Sequence, residues 1–261
     1  MDRTTSADGT TIAYEKDGDG PAIVFVTGAF NDHHRLAPLA AALRDDFTVV
    51  VYDRRGRGES GDGPSYAIER EIEDLAAVIE AAGGSAYVYG TSSGAALALR
   101  AAAAGVPITK LAVFEAPFVV DGSRKPIPST WVADLRGLAD QPGSAIKYFM
   151  TRGIGLPGFV VSLMKLMPAW KGMKAVAHTI WYDAEVVGRN AFGQPLDASQ
   201  WAGIEVPALV VGGGKSPRWM RTSVRAVADA VPGASYREIA GQNHMIKAAA
   251  IAPVLTEHFG G

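Results

Sequence analysis

In Gly90-Thr91-Ser92-Ser93-Gly94 two serines and a threonine stand between two glycines, a spacing that suits a nucleophile held out on a tight turn. An apolar run at 86–89 leads into this segment, and a helix of small residues, expected over 95–104, leaves it. Small flanking residues let the chain turn sharply enough to expose the Ser92 Oγ, and the helix start offers backbone donors to a developing negative charge. The spacing selects Ser92 as the nucleophile. Ser93 follows it, and the Ser93 N–H becomes a donor for an oxyanion hole. A simpler reading has both serines capping the next helix, a common use of serine at that position. Capping, however, does not require glycine on both sides.

Such a display needs strands and helices in alternation. Residues 10–15 are expected as an edge strand, 22–27 as the first buried strand, 37–43 as a helix and 47–52 as a strand, followed by a polar loop at 53–63. Across 66–82, Ile68, Ile72, Leu75, Ala76 and Ile79 recur at helical spacing, with Glu69, Arg70, Glu71, Glu73 and Asp74 assigned to the wet side. A further apolar strand is expected at 111–114. Continuous apolar runs indicate strands covered on both faces, and the strand–turn–helix order indicates parallel crossover units. From 121 to 200 the pattern changes to helical pieces broken at Pro126, Pro128, Pro142, Pro157 and Pro168. A strand at 206–211, a helical region at 216–231, a strand at 236–239 and a terminal helix at 245–259 then resume the core. The expected organisation is an α/β core of residues 1–120 and 201–261 carrying a mostly helical cap at 121–200.

The 261 residues are 48% apolar, enough for one sizeable core, and neither a repeat nor a flexible linker divides them. A formal net charge of −2 gives no electrostatic case for a nucleic-acid partner. The absence of cysteine excludes disulfides and thiol chemistry. The sequence opens without an apolar leader and has no run of membrane-spanning length, so a cytoplasmic protein without stable membrane insertion is expected. Histidines and acids form no compact cluster, and neither Gly-x-Gly-x-x-Gly nor Gly-x-x-x-x-Gly-Lys-Ser/Thr is present, so neither metal nor cofactor is expected. Nothing in the sequence specifies an oligomeric state.

The run Val51-Tyr52-Asp53-Arg54-Arg55-Gly56-Arg57-Gly58-Glu59-Ser60, taken with the serine turn and the element order, resembles the α/β-hydrolase superfamily over nearly the whole chain. Its haloperoxidase/esterase-like branch is the nearer likeness. The resemblance implies a three-layer fold with an eight-stranded, mostly parallel sheet, an inserted cap and a serine–acid–histidine relay. It also implies a second oxyanion donor after the first buried strand. There Thr27-Gly28-Ala29-Phe30 has Thr27 where histidine is usual, and the Ala29 N–H takes the donor's place. Family order makes His244 the base; its simpler reading is a loop histidine capping the terminal helix. The 53–60 run has its own simpler reading, a tight surface turn tied to neighbouring helices by its arginines.

The relay acid departs from the family pattern. Ala208-Leu209-Val210-Val211-Gly212-Gly213-Gly214-Lys215-Ser216-Pro217, where the family usually places aspartate, contains no acid. Ser216 lacks the charge and Lys215 has the wrong sign to stabilise an imidazolium. Glu115, directly after Leu111-Ala112-Val113-Phe114, is the substitute implied by those α/β hydrolases whose acid follows that strand. A local structural hydrogen bond for Glu115, the remoter Asp121, a Ser–His dyad and the loss of normal hydrolytic chemistry stand beside it.

Residues 141–181 hold Lys147, Arg152, Lys165, Lys171 and Lys174 and no acid, among apolar residues that include Phe149, Phe159, Leu163, Met167 and Trp170. They read as an apolar substrate channel whose cations attract a carboxylate or phosphate, or as a face packed on the core with its lysines in water. Transient membrane contact is a third reading, weakened by the prolines. Phe30, His33 and Trp170 are the candidate substrate contacts. The residues together point to cleavage of a small or medium hydrophobic ester, thioester or lactone through an acyl-enzyme. A biosynthetic cyclase or acyl-transfer enzyme, and a catalytically relaxed ligand-binding protein, are the alternatives.

Overall fold

Apolar strands that do not alternate must be covered on both faces, and one sheet here is. The computed structural model describes residues 1–261. It begins with β1 (Asp2–Thr5), β2 (Thr11–Asp17), β3 (Ala22–Val26), a 3₁₀ turn (His33–Leu36), α1 (Ala37–Leu43) and β4 (Thr48–Tyr52). It continues through α2 (Ile68–Ala82), β5 (Ala86–Thr91), α3 (Ser93–Ala103) and β6 (Ile108–Phe114). Between β6 and the next strand come α4 (Trp131–Arg136), α5 (Pro142–Tyr148), a π-helical turn (Phe149–Ile154), α6 (Gly158–Met164), α7 (Ala169–Ala175) and α8 (Ile180–Val187). The chain ends with β7 (Ala208–Gly213), α9 (Arg218–Ala230), β8 (Ser235–Ile239) and α10 (Ala248–Gly260).

The eight strands lie in the order β1-β2-β4-β3-β5-β6-β7-β8. Only the β1/β2 and β2/β4 pairings are antiparallel. On one face Val24, Val26 and Val88 pack with α2, α3 and α9; on the other Phe25, Tyr89 and Phe114 pack with α1 and α10. This is the three-layer α/β-hydrolase architecture.

Two expectations about the edges of elements are corrected. The strand expected at 10–15 is not an edge: β1 pairs outside it, with Arg3 opposite Ala13. The β1 sequence Asp-Arg-Thr-Thr is polar and largely exposed, so no apolar pattern announces it. Glu71 and Asp74, assigned to the wet side of α2, are each 1% exposed. They turn inward because Arg54 and Arg55 are buried opposite them, bidentate to Glu71 at 2.6 Å and to Asp74 at 2.7 Å. The arginines of the 53–60 run do tie it to neighbouring helices, Arg54 and Arg55 to α2 and Arg57 to Asp183 of α8, but all three are buried while Gly58 and Glu59 at the tip stay exposed.

Between β6 and β7 prolines begin helices as well as separate them. Pro142 occupies the first turn of α5, and Pro157 and Pro168 directly precede α6 and α7, where a missing N–H leaves no bond unmade. Lys147, Arg152, Lys165, Lys171 and Lys174 are all exposed. The apolar side of this region does not all pack inward, since α6 buries only Val161 while Phe159, Leu163, Leu166 and Met167 are more than half exposed. No helix is long and apolar enough to cross a membrane.

Candidate active site

Three non-glycine residues have positive φ: Phe30 at 62°, Ser92 at 57° and Glu115 at 50°. They follow β3, β5 and β6, neighbours in the middle of the sheet. L-residues adopt such backbones only at a cost, so strain concentrates at the carboxyl end of these strands, where ligands of open α/β sheets bind. Strand register brings two of them side by side. Thr91 pairs with Phe114, so Ser92 and Glu115 are the first residues beyond matched strand ends. Their N–H groups still donate across the sheet, from Ser92 to the Phe114 carbonyl at 2.9 Å and from Glu115 to the Val211 carbonyl at 3.2 Å.

Ser92 begins α3 without using its hydroxyl as a cap, and Ser93 Oγ donates elsewhere, to Asp183 at 2.7 Å. The capping reading of the two serines therefore does not describe them. A β-carbon at Gly94 would collide with the Val26 carbonyl oxygen, which explains the small residue where α3 crosses β3.

His244, on the loop between β8 and α10, lies with Nε2 3.1 Å from Ser92 Oγ and Nδ1 2.8 Å from Glu115 Oε2. The imidazole is partly open, with its side chain 37% exposed, whereas Glu115 is fully enclosed. The second carboxylate oxygen accepts the Gly213 N–H at 2.8 Å. Gly213 belongs to the acid-free run where the family usually places aspartate. A β-carbon there would stand 2.7 Å from the Gln242 carbonyl oxygen, in the loop carrying His244. The acid-free glycine run thus leaves room for that loop and supplies a donor to a carboxylate arriving from β6. The His244 ring also lies nearly parallel to Phe114, with centroids 6.3 Å apart.

The loop after β3 runs against Ser92, close enough that a β-carbon on Gly28 would come 2.8 Å from the Ser92 β-carbon. Ala29, half-buried, follows. Two buried arginines grip the back of this loop: Arg54 donates to the Thr27 carbonyl at 3.2 Å, Arg57 to the Gly28 carbonyl at 3.0 Å. Both also donate to Asp183 of α8, at 2.8 and 2.7 Å. Burial works to raise the Asp183 pKa, but the Arg57 and Arg54 charges and the Ser93 hydrogen bond outweigh it and hold the carboxyl below its ordinary value. Asp183 escaped the sequence reading. Its available signal was an acid inside the mostly apolar helix Ile180-Trp181-Tyr182-Asp183-Ala184-Glu185-Val186-Val187.

Of the candidate substrate contacts, Phe30 meets Phe149 edge-to-face with centroids 5.2 Å apart, and Phe149 in turn meets Trp131 at 5.5 Å. Trp170 is half-buried against the larger core cluster. His33 is nearly enclosed, with its side chain 8% exposed and its Nδ1 2.9 and 3.0 Å from the two Asp53 oxygens. His258 reaches the Leu111 carbonyl at 3.0 Å, and His178 sits half-buried in a 3₁₀ turn.

The sequence profile described as "Alpha/beta hydrolase family" matches residues 23–253, and the chain belongs to that family. The crystal structure of an alpha/beta hydrolase from Sphaerobacter thermophilus is 50% identical, superposes with a TM-score of 0.92, and covers 99% of this chain and 100% of its own. Two curated relatives align over shorter stretches. N-formylmaleamate deformylase of Pseudomonas putida is 34% identical over 122 residues, 45% of this chain and 46% of its own length. 3-oxoadipate enol-lactonase 1 of Acinetobacter baylyi is 33% identical over 98 residues, 36% of this chain and 37% of its own. The chain thus matches less than half the length of these curated relatives.

Proposed function

We propose that the protein is a serine hydrolase that cleaves a small or medium hydrophobic ester, thioester or lactone through an acyl-enzyme on Ser92. The observation that carries this reading is the line Ser92 Oγ–His244–Glu115, with contacts of 3.1 and 2.8 Å. In the first half-reaction an Oγ lone pair bonds to the carbonyl carbon while the hydroxyl proton passes to His244 Nε2. The carbonyl π pair moves onto oxygen, facing the Ala29 and Ser93 N–H groups as donors. Collapse breaks the bond to the leaving group, which takes the proton from His244. Water then repeats the sequence on the acyl-enzyme, releasing acid and restoring Ser92.

Glu115 holds Nδ1 protonated, leaving Nε2 free to accept, and stabilises the imidazolium. Residues 121–200 act as a cap over the core. The Phe30–Phe149–Trp131 aromatic cluster supports an apolar group on the substrate, and the names of the lactonase and deformylase relatives support a small acyl compound.

A fluorophosphonate tests the reading. Attack by Ser92 forms an Oγ–P bond and expels fluoride, so intact mass should rise by one phosphonyl group on the wild type and not on Ser92→Ala. An unlabelled, folded wild type would refute it.

A further inference from the structure

The buried charges beside the site form a closed set with an unusual terminus. Arg54 and Arg57 face two carboxylates, Glu71 and Asp183, and every member is about 1% exposed. One further donor of each arginine ends on backbone that flanks the nucleophile: Arg54 Nη1 on the Thr27 carbonyl, Arg57 Nη1 on the Gly28 carbonyl.

That second contact matters because the Gly28 carbonyl and the Ala29 N–H belong to one peptide unit. In a trans peptide the C=O and N–H are coplanar and point in opposite directions. A guanidinium fixed 3.0 Å from the Gly28 oxygen therefore sets the direction of the Ala29 N–H, and its charge polarises the unit so that the N–H becomes a stronger donor. Arg57 is itself held on three sides, by the Gly28 carbonyl, Asp183 Oδ2 and Thr179 Oγ1 at 3.0 Å. Asp183 uses its other oxygen for Arg54 and for Ser93 Oγ at 2.7 Å. One carboxylate, delivered by α8 between β6 and β7, thus touches the side chain of one candidate donor residue and, through Arg57, the peptide of the other.

We propose that Asp183 and Arg57 are positioning residues that align both oxyanion donors and make that alignment depend on the seating of the cap. This rests on the acyl-enzyme reading above. A second buried cluster in the same loop provides the contrast. Arg55 pairs with Asp74 and Asp8, but its remaining bond goes to the Arg70 carbonyl on α2, not to a loop beside Ser92.

The test compares Asp183→Asn with Asp74→Asn, each leaving a buried arginine short of a charge. With a p-nitrophenyl ester, Asp183→Asn should lower kcat about tenfold to a hundredfold with KM changed less than about threefold, a fraction of the loss on deleting an oxyanion donor. Phenylboronate, which forms a tetrahedral adduct with Ser92, should bind more weakly by the same factor as kcat/KM falls. Asp74→Asn should lower Tm without either change. Ser93→Ala, which cuts only the hydroxyl contact to Asp183, gives a milder loss of the same kind and serves if Asp183→Asn does not fold. Wild-type kcat/KM and boronate affinity in these variants, or equal losses in Asp74→Asn, would overturn the proposal. If the wild type resists fluorophosphonate, the acyl-enzyme reading fails separately. The Ala29 amide resonance then decides: it moves in Asp183→Asn and not in Asp74→Asn if the network aligns that peptide, and a stationary resonance refutes the proposal.

Discussion

Glu115→Gln preserves the shape of a fully enclosed side chain while removing its charge, and both of its orientations are constrained. Glu115 Oε1 accepts the Gly213 N–H at 2.8 Å and Oε2 lies 2.8 Å from His244 Nδ1. If the glutamine oxygen stays with Gly213, its NH₂ faces Nδ1, which must then accept. The imidazole proton moves to Nε2, and Ser92 loses its base. If the amide turns over, its NH₂ opposes the Gly213 N–H, and burying two unpaired donors costs about 1–3 kcal/mol each. Either arrangement also removes the charge that stabilises the imidazolium. We expect kcat to fall about 10²–10⁴-fold, equivalent to about 3–5.5 kcal/mol of barrier. Hydrolysis of a p-nitrophenyl ester read beside a urea melt separates this from unfolding. A folded Glu115→Gln protein that keeps kcat within about tenfold of wild type would refute the relay role, because no tautomer-based loss is that small.

Gly213→Ala places a β-carbon 2.7 Å from the Gln242 carbonyl oxygen and should push the His244 loop outward, lowering kcat about tenfold to a hundredfold while the far-ultraviolet circular dichroism stays unchanged. Glu71→Ala leaves the buried Arg54 with one carboxylate instead of two and should cost about 3–5 kcal/mol in urea unfolding. Arg3→Ala, breaking the exposed 3.2 Å pair with Glu59, should cost less than about 1 kcal/mol in the same assay. Burial holds the half-buried His258 below the ordinary histidine pKa, so as pH falls the unfolded chain takes up that proton first. The stability His258 confers is therefore whole above the unfolded value of about 6.5 and is lost as pH falls from there through the folded value. Urea midpoints from pH 8 to 5 should fall less steeply in His258→Gln.

Local rules determined much of this protein. The apolar runs fixed the parallel core strands, because strands buried on both faces cannot alternate, and α1 falls at 37–43 as its sequence predicts. Ser92 was legible because its turn requires small neighbours within five consecutive residues. His244 and Glu115 were candidates only through family order. Nothing in Glu115-Ala116-Pro117 distinguishes a relay acid from a local hydrogen-bond acceptor. What Glu115 meets is set spatially: the β5/β6/β7 register puts it between Ser92 and Gly213, and the His244 loop arrives 129 residues later in the chain. The same limit hid the inward turn of Glu71 and Asp74, since helical periodicity sorts residues by polarity and cannot see an arginine buried opposite. Asp183 is the clearest case. Its position in α8 is a matter of sequence, but its contacts with Arg54, Arg57 and Ser93 span 129, 126 and 90 residues. The sequence by itself determined which strands, helices and turn could display a nucleophilic serine. Only the tertiary structure decided which charges meet around it, because burying a charge is tolerable only opposite a partner, and packing alone brings distant partners together.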